Sequence, residues 1–440
     1  MGSVDDLLEK IQEAEESNQE ELILDRWDLE EGLPAEIGKL RKLKSLTLRS
    51  HYLPDLPVEI GQLNNLEDLV IFSELITVVP GEIGYLQNLR SLDLSFTNIT
   101  RLPTEIGKLK RLETLVIKNS QVQNLPPEIG GLTSLKTLEL SYNNLASLPP
   151  EIGQLINLER IILNNNKLLR FPEELGNLRE LSILNLSNNE IGYLPSEIGQ
   201  LANLKLLNLR KNKLSELPEE LFFLNNLIEL DLGENSLHNL SADIGKLLNL
   251  EKLNLGAKHS RPNNHLIELP TEIGRLSKLI ELDISENNLA KLPAEIGNLS
   301  SLEKLILNEN RLTFLPKEIG NLGNLKTLSV QSNQLLLLPV EIGSLNNLEE
   351  LVLYHNLLSS LPAEIGEIKS LKELDLVENQ LAGLPEEICQ IANLEKLYVS
   401  NNKLIEIPIE VMKLGKLNTF EWFCNKISKL PPELQYLFDL

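Results

Sequence analysis

The sequence predicts an α/β solenoid: a curved stack of coils whose short strands form a parallel concave sheet, with short helical or irregular segments on the convex side. Three observations lead there. Proline recurs every 23 residues, at Pro34, Pro57, Pro80, Pro103, Pro126, Pro149, Pro172, Pro195 and Pro218. Ser241 holds the next place, and after six additional residues the series resumes at Pro270 and runs to Pro431, eighteen registers in all. Leucines keep a fixed spacing around each proline, and from Asn143 onward an asparagine follows every predicted strand. Self-similarity at such a period marks stacked supersecondary units that bury their apolar faces against one another.

Taken in chain order, the first element is a helix. Val4, Leu7, Leu8, Ile11 and Ala14 follow helical spacing with acidic residues between them, so residues 1–19 read as a capping helix over the first coil. Residues 20–440 then read as a solenoid of about 18 repeats with an insertion near 256–263. Each repeat follows the pattern seen from Leu292 to Leu312, L-P-x-E-I-G-x-L-x-x-L-x-x-L-x-L-x-x-N-x-L. The L-x-L step, as in Leu282-Asp283-Ile284, alternates at period two and predicts a short strand with both apolar residues inward. The asparagine amide suits the backbone groups of the bend, which cost about 1–3 kcal/mol each if buried unpaired. Proline presets the convex turn, glutamate suits its N-terminal end, and glycine is expected to end it.

These columns resemble leucine-rich repeats of the Ras-group type, as in intracellular Ras-pathway scaffolds, plant Ras-group repeat proteins and the repeat regions of bacterial Roco proteins. The resemblance implies a leucine-rich-repeat fold and a protein partner, with a small GTPase or another signalling protein among the candidates. Roco proteins add a GTPase domain, and no G-x-x-x-x-G-K-[ST] phosphate loop occurs here.

Composition narrows the function classes. The formal charge of −23 disfavours nucleic acid, which needs clustered cations. Much of the acidity is repeat grammar, since one Glu or Asp stands in the same column of all eighteen repeats, from Glu36 to Glu433. No apolar run is long enough for membrane insertion. With no secretory signal at Met1-Gly2-Ser3 and only two distant cysteines, Cys389 and Cys424, a cytoplasmic setting is expected. No metal-ligand spacing links His51, His238, His259, His265 and His355, and no nucleophile or nucleotide motif is present. The expectation is a protein without catalytic site, metal or cofactor. The Asn-Leu-Ser triplets at Asn185, Asn239 and Asn298 match a glycosylation sequon, which matters only in an exported chain.

Departures from the pattern supply the candidate binding residues. In the early repeats the asparagine column is read as Trp27 or Asp28, then His51, Glu74, Thr97 and Ser120. In the middle, Phe222 replaces glycine and Ser241 replaces proline. The insertion supplies a basic rim loop with Lys258, His259 and Arg261 as candidate partner contacts. Variable strand positions are read as placing Phe72, Phe96 and Tyr142 on the concave face toward the N-terminus, and Tyr354, His355, Tyr398 and Phe423 toward the C-terminus. Asn164, Asn185, Asn188 and Asn208 lie between them, and the Trp422 column points inward. Exposed aromatic side chains are common interface anchors. The expected function is therefore a non-catalytic interaction scaffold or recognition module. Alternatives are the sensor segment of a larger Roco-type GTPase and a designed binding scaffold.

Overall fold

The computed structural model describes residues 4–25, 27, 29–257 and 263–428. The chain divides into two compact units, Met1–Leu227 and Ile228–Leu440. Among the described residues each unit carries nine short strands, and within each unit neighbouring strands pair in parallel, in sequence order. The fold of both is a leucine-rich-repeat solenoid with 3-10 turns opposite the strands.

Unit 1 opens with α1 (Val4–Glu16). Its residues Leu7, Ile11 and Ala14 are buried, and the helix packs on the first 3-10 turn, Ala35–Lys39. It stops where Asn18 takes a left-handed φ of 52° and Gln19 N–H donates to the Ala14 carbonyl, 3.0 Å. That is a helix-ending motif which frees the chain to enter the first strand. Lys10 lies over the Trp27 ring, 5.2 Å from its centroid.

The first three strands, β1 (Glu21–Asp25), β2 (Ser45–Arg49) and β3 (Asp68–Phe72), have five residues each. From Ser91–Asp93 onward each strand has three. In the coil of Lys304–Ile306, Leu305 and Leu307 are fully buried, while Lys304, Ile306 and Asn308 face outward. Burying such a side chain stabilises the fold by about 1.5–3 kcal/mol.

The asparagine column does what its chemistry suggests, and more. Asn310 Nδ2 donates to the Leu307 carbonyl of its own coil (3.1 Å) and to Ile284 O of the coil before (2.9 Å). Its Oδ1 accepts from Leu289 N–H of that previous coil, 2.9 Å. One buried amide therefore satisfies groups on two coils. The early coils solve the problem differently from the sequence reading. His51 and Glu74 are exposed, and the inward place goes to Ser50 and Ser73, one residue earlier. Ser73 Oγ donates to the Leu53 carbonyl at 2.7 Å and accepts from Leu75 N–H at 3.2 Å. Thr97 and Ser120 are buried and bond each other's hydroxyls at 3.1 Å.

A second asparagine ladder, which the sequence reading did not single out, runs behind the 3-10 turns. Asn65, Asn88, Asn157 and Asn203 in unit 1 each donate Nδ2 to a backbone carbonyl of the preceding coil, at 2.7–2.9 Å. Asn324, Asn347 and Asn393 repeat it in unit 2, at 2.7–2.8 Å.

On the side away from the strands each turn is a single 3-10 segment of five residues, such as Lys317–Asn321, entered from a proline in extended conformation. That length is too short to nucleate an α-helix. Where proline is missing, Ser241 caps its turn by accepting from Asp243 N–H, 3.2 Å. The glycine does not end the turn as expected; it lies within it, and its φ is not left-handed. A Cβ on Gly297 would stand 2.4 Å from the Glu318 carbonyl oxygen of the next coil. At Gly297 the next coil approaches too closely for a side chain, whereas Phe222, Cys389 and Met412 hold the same column in other coils.

In unit 2 the inserted residues leave the strand register intact: Leu230 pairs with Leu253, and Leu253 with Leu282. Asn264 resumes the ladder directly, donating to Leu232 O (3.0 Å) and Leu255 O (2.9 Å) and accepting from Leu237 N–H (2.9 Å). The candidate rim residues Lys258, His259 and Arg261 lie outside the described residues.

Candidate functional site

Each coil offers outward side chains from its strand, and most coils from that of Phe96 onward add, just past it, one residue in a left-handed backbone conformation. Six such residues form a column from Phe96 to Lys211 in unit 1, and eight from Glu234 to Cys424 in unit 2, with φ between 49° and 58°. Asn, Ser, Glu and Lys hold most of these places. Phe96 (φ 57°), Tyr142 (57°) and His355 (54°) belong to these columns, so the structure places them at the rim beyond the strand end. A left-handed conformation is costly for large side chains. Phe96 and Tyr142 are observed outliers of the kind from which function is properly inferred, whereas histidine enters this region more readily.

In unit 1 the candidate aromatics separate into a cluster and an isolated ring. Phe72 ends β3, and its ring centroid lies 5.2 Å from that of Phe96. His51 meets the other side of Phe72 edge-on at 5.3 Å, and its Nδ1 lies 3.4 Å from Glu74 Oε1. His51, Phe72 and Phe96 thus form a row across three coils, with Glu74 at its edge. The histidine was missed as a site residue because spacing assigned it to the inward column. Tyr142 stands apart from the row and is 53% exposed.

In unit 2 Tyr354 and His355 are adjacent, with centroids 5.8 Å apart in an edge-on arrangement. His355 Nδ1 pairs with Glu378 Oε2 at 3.0 Å. Burial, followed by the Glu378 carboxylate, raises the Tyr354 phenol above its ordinary value. Tyr398 ends the strand Lys396–Tyr398 and registers against Asp375. Burial raises its phenol too, with Glu373 adding to the effect. Phe423 is 56% exposed and stacks on Trp422 at 6.0 Å; Trp422 itself is buried, as its column implies.

Asp375 is the residue here that sequence reasoning did not reach. Asp93 and Asp283 occupy its column, and each accepts from both the N–H and the hydroxyl of a serine two residues on, Ser95 and Ser285. Asp375 accepts from Val377 N–H at 3.0 Å, and valine has no hydroxyl to offer. Burial pushes its carboxyl up; the Val377 N–H opposes this, and Glu373 and Glu421 reinforce it. The signal was legible as Asp375-Leu376-Val377 against Asp93-Leu94-Ser95 and Asp283-Ile284-Ser285.

Charges also alternate from coil to coil beside the strands. Arg90 meets Glu67 (3.7 Å) and Glu113 (2.8 Å), and Lys136 meets Glu113 (2.7 Å). In unit 2, Lys326 pairs with Glu303 and Lys372 with Glu349, both at 2.7 Å. These pairs are solvent-exposed and therefore screened by salt. Among the described residues no three His, Cys, Asp or Glu side chains converge as a metal site. Nor is any described helix long and apolar enough to cross a membrane.

Family models match most of the chain: "Leucine-rich repeat region" over residues 78–187 and 172–270, and "Leucine rich repeat" over 277–335, 323–381 and 393–414. Curated protein sequences return no match. Among solved structures, a leucine-rich-repeat protein of Leptospira interrogans is 34% identical, covering 97% of this chain and 96% of that one, with a TM-score of 0.75. The Arabidopsis receptor kinase HAESA ectodomain, solved with an IDA peptide hormone, is 31% identical, covering 92% and 69%, TM-score 0.69. The plant peptide hormone receptor RGFR1, solved with RGF2, is 28% identical, covering 93% and 83%, TM-score 0.61. With its repeating columns, its stacked parallel strands and these matches, the chain belongs to the leucine-rich-repeat family.

Proposed function

We propose that the chain is a non-catalytic protein- or peptide-recognition module that binds through its outward strand face and adjoining rim. The observation that carries this reading is the left-handed column, where Phe96 and Tyr142 hold large rings in a conformation that disfavours them. Phe72, Tyr354, His355, Tyr398 and Phe423 extend the same surface within their own units. Two of the similar structures hold peptide ligands, which supports a polypeptide partner. Hot-spot aromatics typically contribute about 2 kcal/mol or more each to an interface. Proteins retained from source-organism extract by the native chain and lost from a Phe72, Phe96, Tyr142, Tyr354, Tyr398 and Phe423 to Ala variant would support the reading. An identical retained set from both would overturn it.

Within the family the L-P-x-E-I-G motif favours the Ras-group or Roco-like type. A cytoplasmic signalling role, with a small GTPase or another signalling protein as partner, is part of the same reading. Free thiols at Cys389 and Cys424, the latter exposed, support a reducing compartment. The proposal also treats residues 20–440 as one solenoid domain, because the 23-residue period holds on both sides of residues 256–263. Lys258, His259 and Arg261 are proposed as a rim loop that tunes association. Deleting the six extra residues should alter the salt dependence of binding and leave the thermal midpoint in place.

A further inference from the structure

A second surface, away from the strands, carries its own chemistry. Behind the 3-10 turns of unit 1 lies a groove of about 540 Å³ lined by Arg41, Gln62, Asn64, Tyr85, Gln87 and Lys108, over Gly61 and Gly84. Its two ends are cationic. Arg41 stands at one, with Lys39 and Lys42 beside it in sequence. Lys108 stands at the other, its ammonium 5.8 Å from the centroid of the Tyr85 ring. Among the described residues none of these four cations makes a direct ion pair, whereas Lys44, Arg90 and Lys136 beside the strands are each matched by a glutamate. Lys108 does help to lower the Glu105 carboxyl, but less than the backbone and Thr104 hydrogen bonds do.

Between the charged ends the groove offers amides. The side chains of Gln62 and Asn64 make no hydrogen bond among the described residues. Gln87 directs its Nε2 at the Gly84 and Lys108 carbonyls, 2.7 and 3.3 Å, and leaves its side-chain oxygen as an acceptor. Amides supply both donors and acceptors, which suits a polypeptide backbone; a phosphate backbone needs donors alone. The coils of Arg41 and Lys108 are three steps apart, about 15 Å at strand spacing, or four to five residues of extended chain. An equivalent groove further along unit 1 is lined by Pro150, Glu151, Gly153, Gln154, Glu174 and Asn177. The same backbone there carries carboxylates and no cation, so the basic character belongs to these side chains and not to the fold.

We propose that the Arg41–Lys108 groove binds an extended acidic polypeptide segment, with carboxylates at its two ends and the peptide backbone over Gln62, Asn64 and Gln87. Nucleic acid is the disfavoured occupant, because Gln62, Asn64 and Gln87 offer acceptors as well as donors and a phosphate backbone has no donor to meet them.

The test uses the full chain and a fluorescein-labelled nonapeptide of glycines with glutamates at its first, fifth and ninth positions, followed by anisotropy. The native chain should bind it in a salt-sensitive manner and ignore the same peptide with lysines. Joint Arg41→Glu and Lys108→Glu substitution should weaken binding about tenfold or more, because two exposed contacts, each worth up to about fivefold, are lost and reversed. Arg41→Gln with Lys108→Gln should weaken it less, and decides the matter if the reversed pair fails to fold. Glu151→Gln in the second groove should change nothing. The strand-face variant with six alanines should keep this binding, so failure here and failure of the strand-face reading are told apart. Binding indifferent to both Arg41/Lys108 pairs overturns the site. Equal or tighter binding of a single-stranded oligonucleotide of the same charge overturns the polypeptide assignment.

Discussion

The first coils and the later coils of unit 1 meet the same demand by different means. In β2 and β3 the strand runs for five residues and a buried serine closes the bend, with no left-handed residue. From the coil of Tyr142 and Asn143 onward the strand is three residues long, the next turn residue is left-handed, and an asparagine reaches across to the preceding coil. Ser50 and Ser73 close the bend from one residue earlier, while Thr97 and Ser120 hold the asparagine position and bond to each other. An asparagine amide is longer and offers a donor and an acceptor on separate atoms. The later geometry uses the asparagine, but the left-handed rim position comes with the three-residue strand, since Phe96 and Asn119 already adopt it in coils whose inward residues are Thr97 and Ser120.

Six substitutions would sharpen or break that comparison. Asn310→Ala should have the largest effect, since it orphans Leu289 N–H and takes one of two amide donors from the Ile284 and Leu307 carbonyls, which keep Asn287 and Asn333. At about 1–3 kcal/mol for the orphaned N–H, with smaller losses at the two carbonyls, a loss of about 2–3 kcal/mol is expected in urea unfolding. Ser73→Ala should cost visibly less; equal losses would erase the distinction between the two kinds of coil. Next in size, Gly297→Ala forces a Cβ to 2.4 Å from a backbone oxygen, whereas Gly323 has nothing within 4 Å. Calorimetry should register about 1–3 kcal/mol of destabilisation for the first and a near-neutral change for the second.

Tyr142→Gly tests the rim from the opposite direction. Releasing a tyrosine from φ 57° should stabilise the fold by about 1 kcal/mol, while partner affinity falls by about 2 kcal/mol. A variant that is both less stable and fully active in binding would remove the functional reading of this column. The smallest effect concerns Asp375. Its folded pKa is raised, so the folded chain holds the proton more tightly than the unfolded one. The resulting penalty is complete above the folded pKa and fades as pH falls toward the ordinary value of 3.8. Asp375→Asn keeps an oxygen for the Val377 N–H and should therefore raise stability at neutral pH. That advantage should vanish below the ordinary aspartate range; an advantage independent of pH would rule out the ionisation account.

Much of the fold was legible because a single period repeats the same evidence of leucine, proline and asparagine spacing many times over. What stayed hidden depends on distances between coils, which spacing within one coil does not encode. The glycine at Gly297 reads as a turn ending, yet its cause is the carbonyl of Glu318 in the next coil. His51 and Glu74 sit where counting places an asparagine, but the backbone turns Ser50 and Ser73 inward instead. Phe96, Tyr142 and His355 read as strand positions because a left-handed residue leaves no mark in composition when large side chains occupy it. Trp422 was assigned to the interior correctly because leucine alternation alone decides it.

The undisturbed pairing around residues 256–263 has a practical consequence. Asn264 binds the same kinds of atoms as Asn310, although its partners lie 32, 27 and 9 residues back instead of 26, 21 and 3. The ladder responds to where atoms are delivered and is indifferent to how much chain delivers them. The boundary just past a strand is therefore a grafting position, at which foreign segments of varied length could be installed coil by coil while the register of Leu253 against Leu282 is kept.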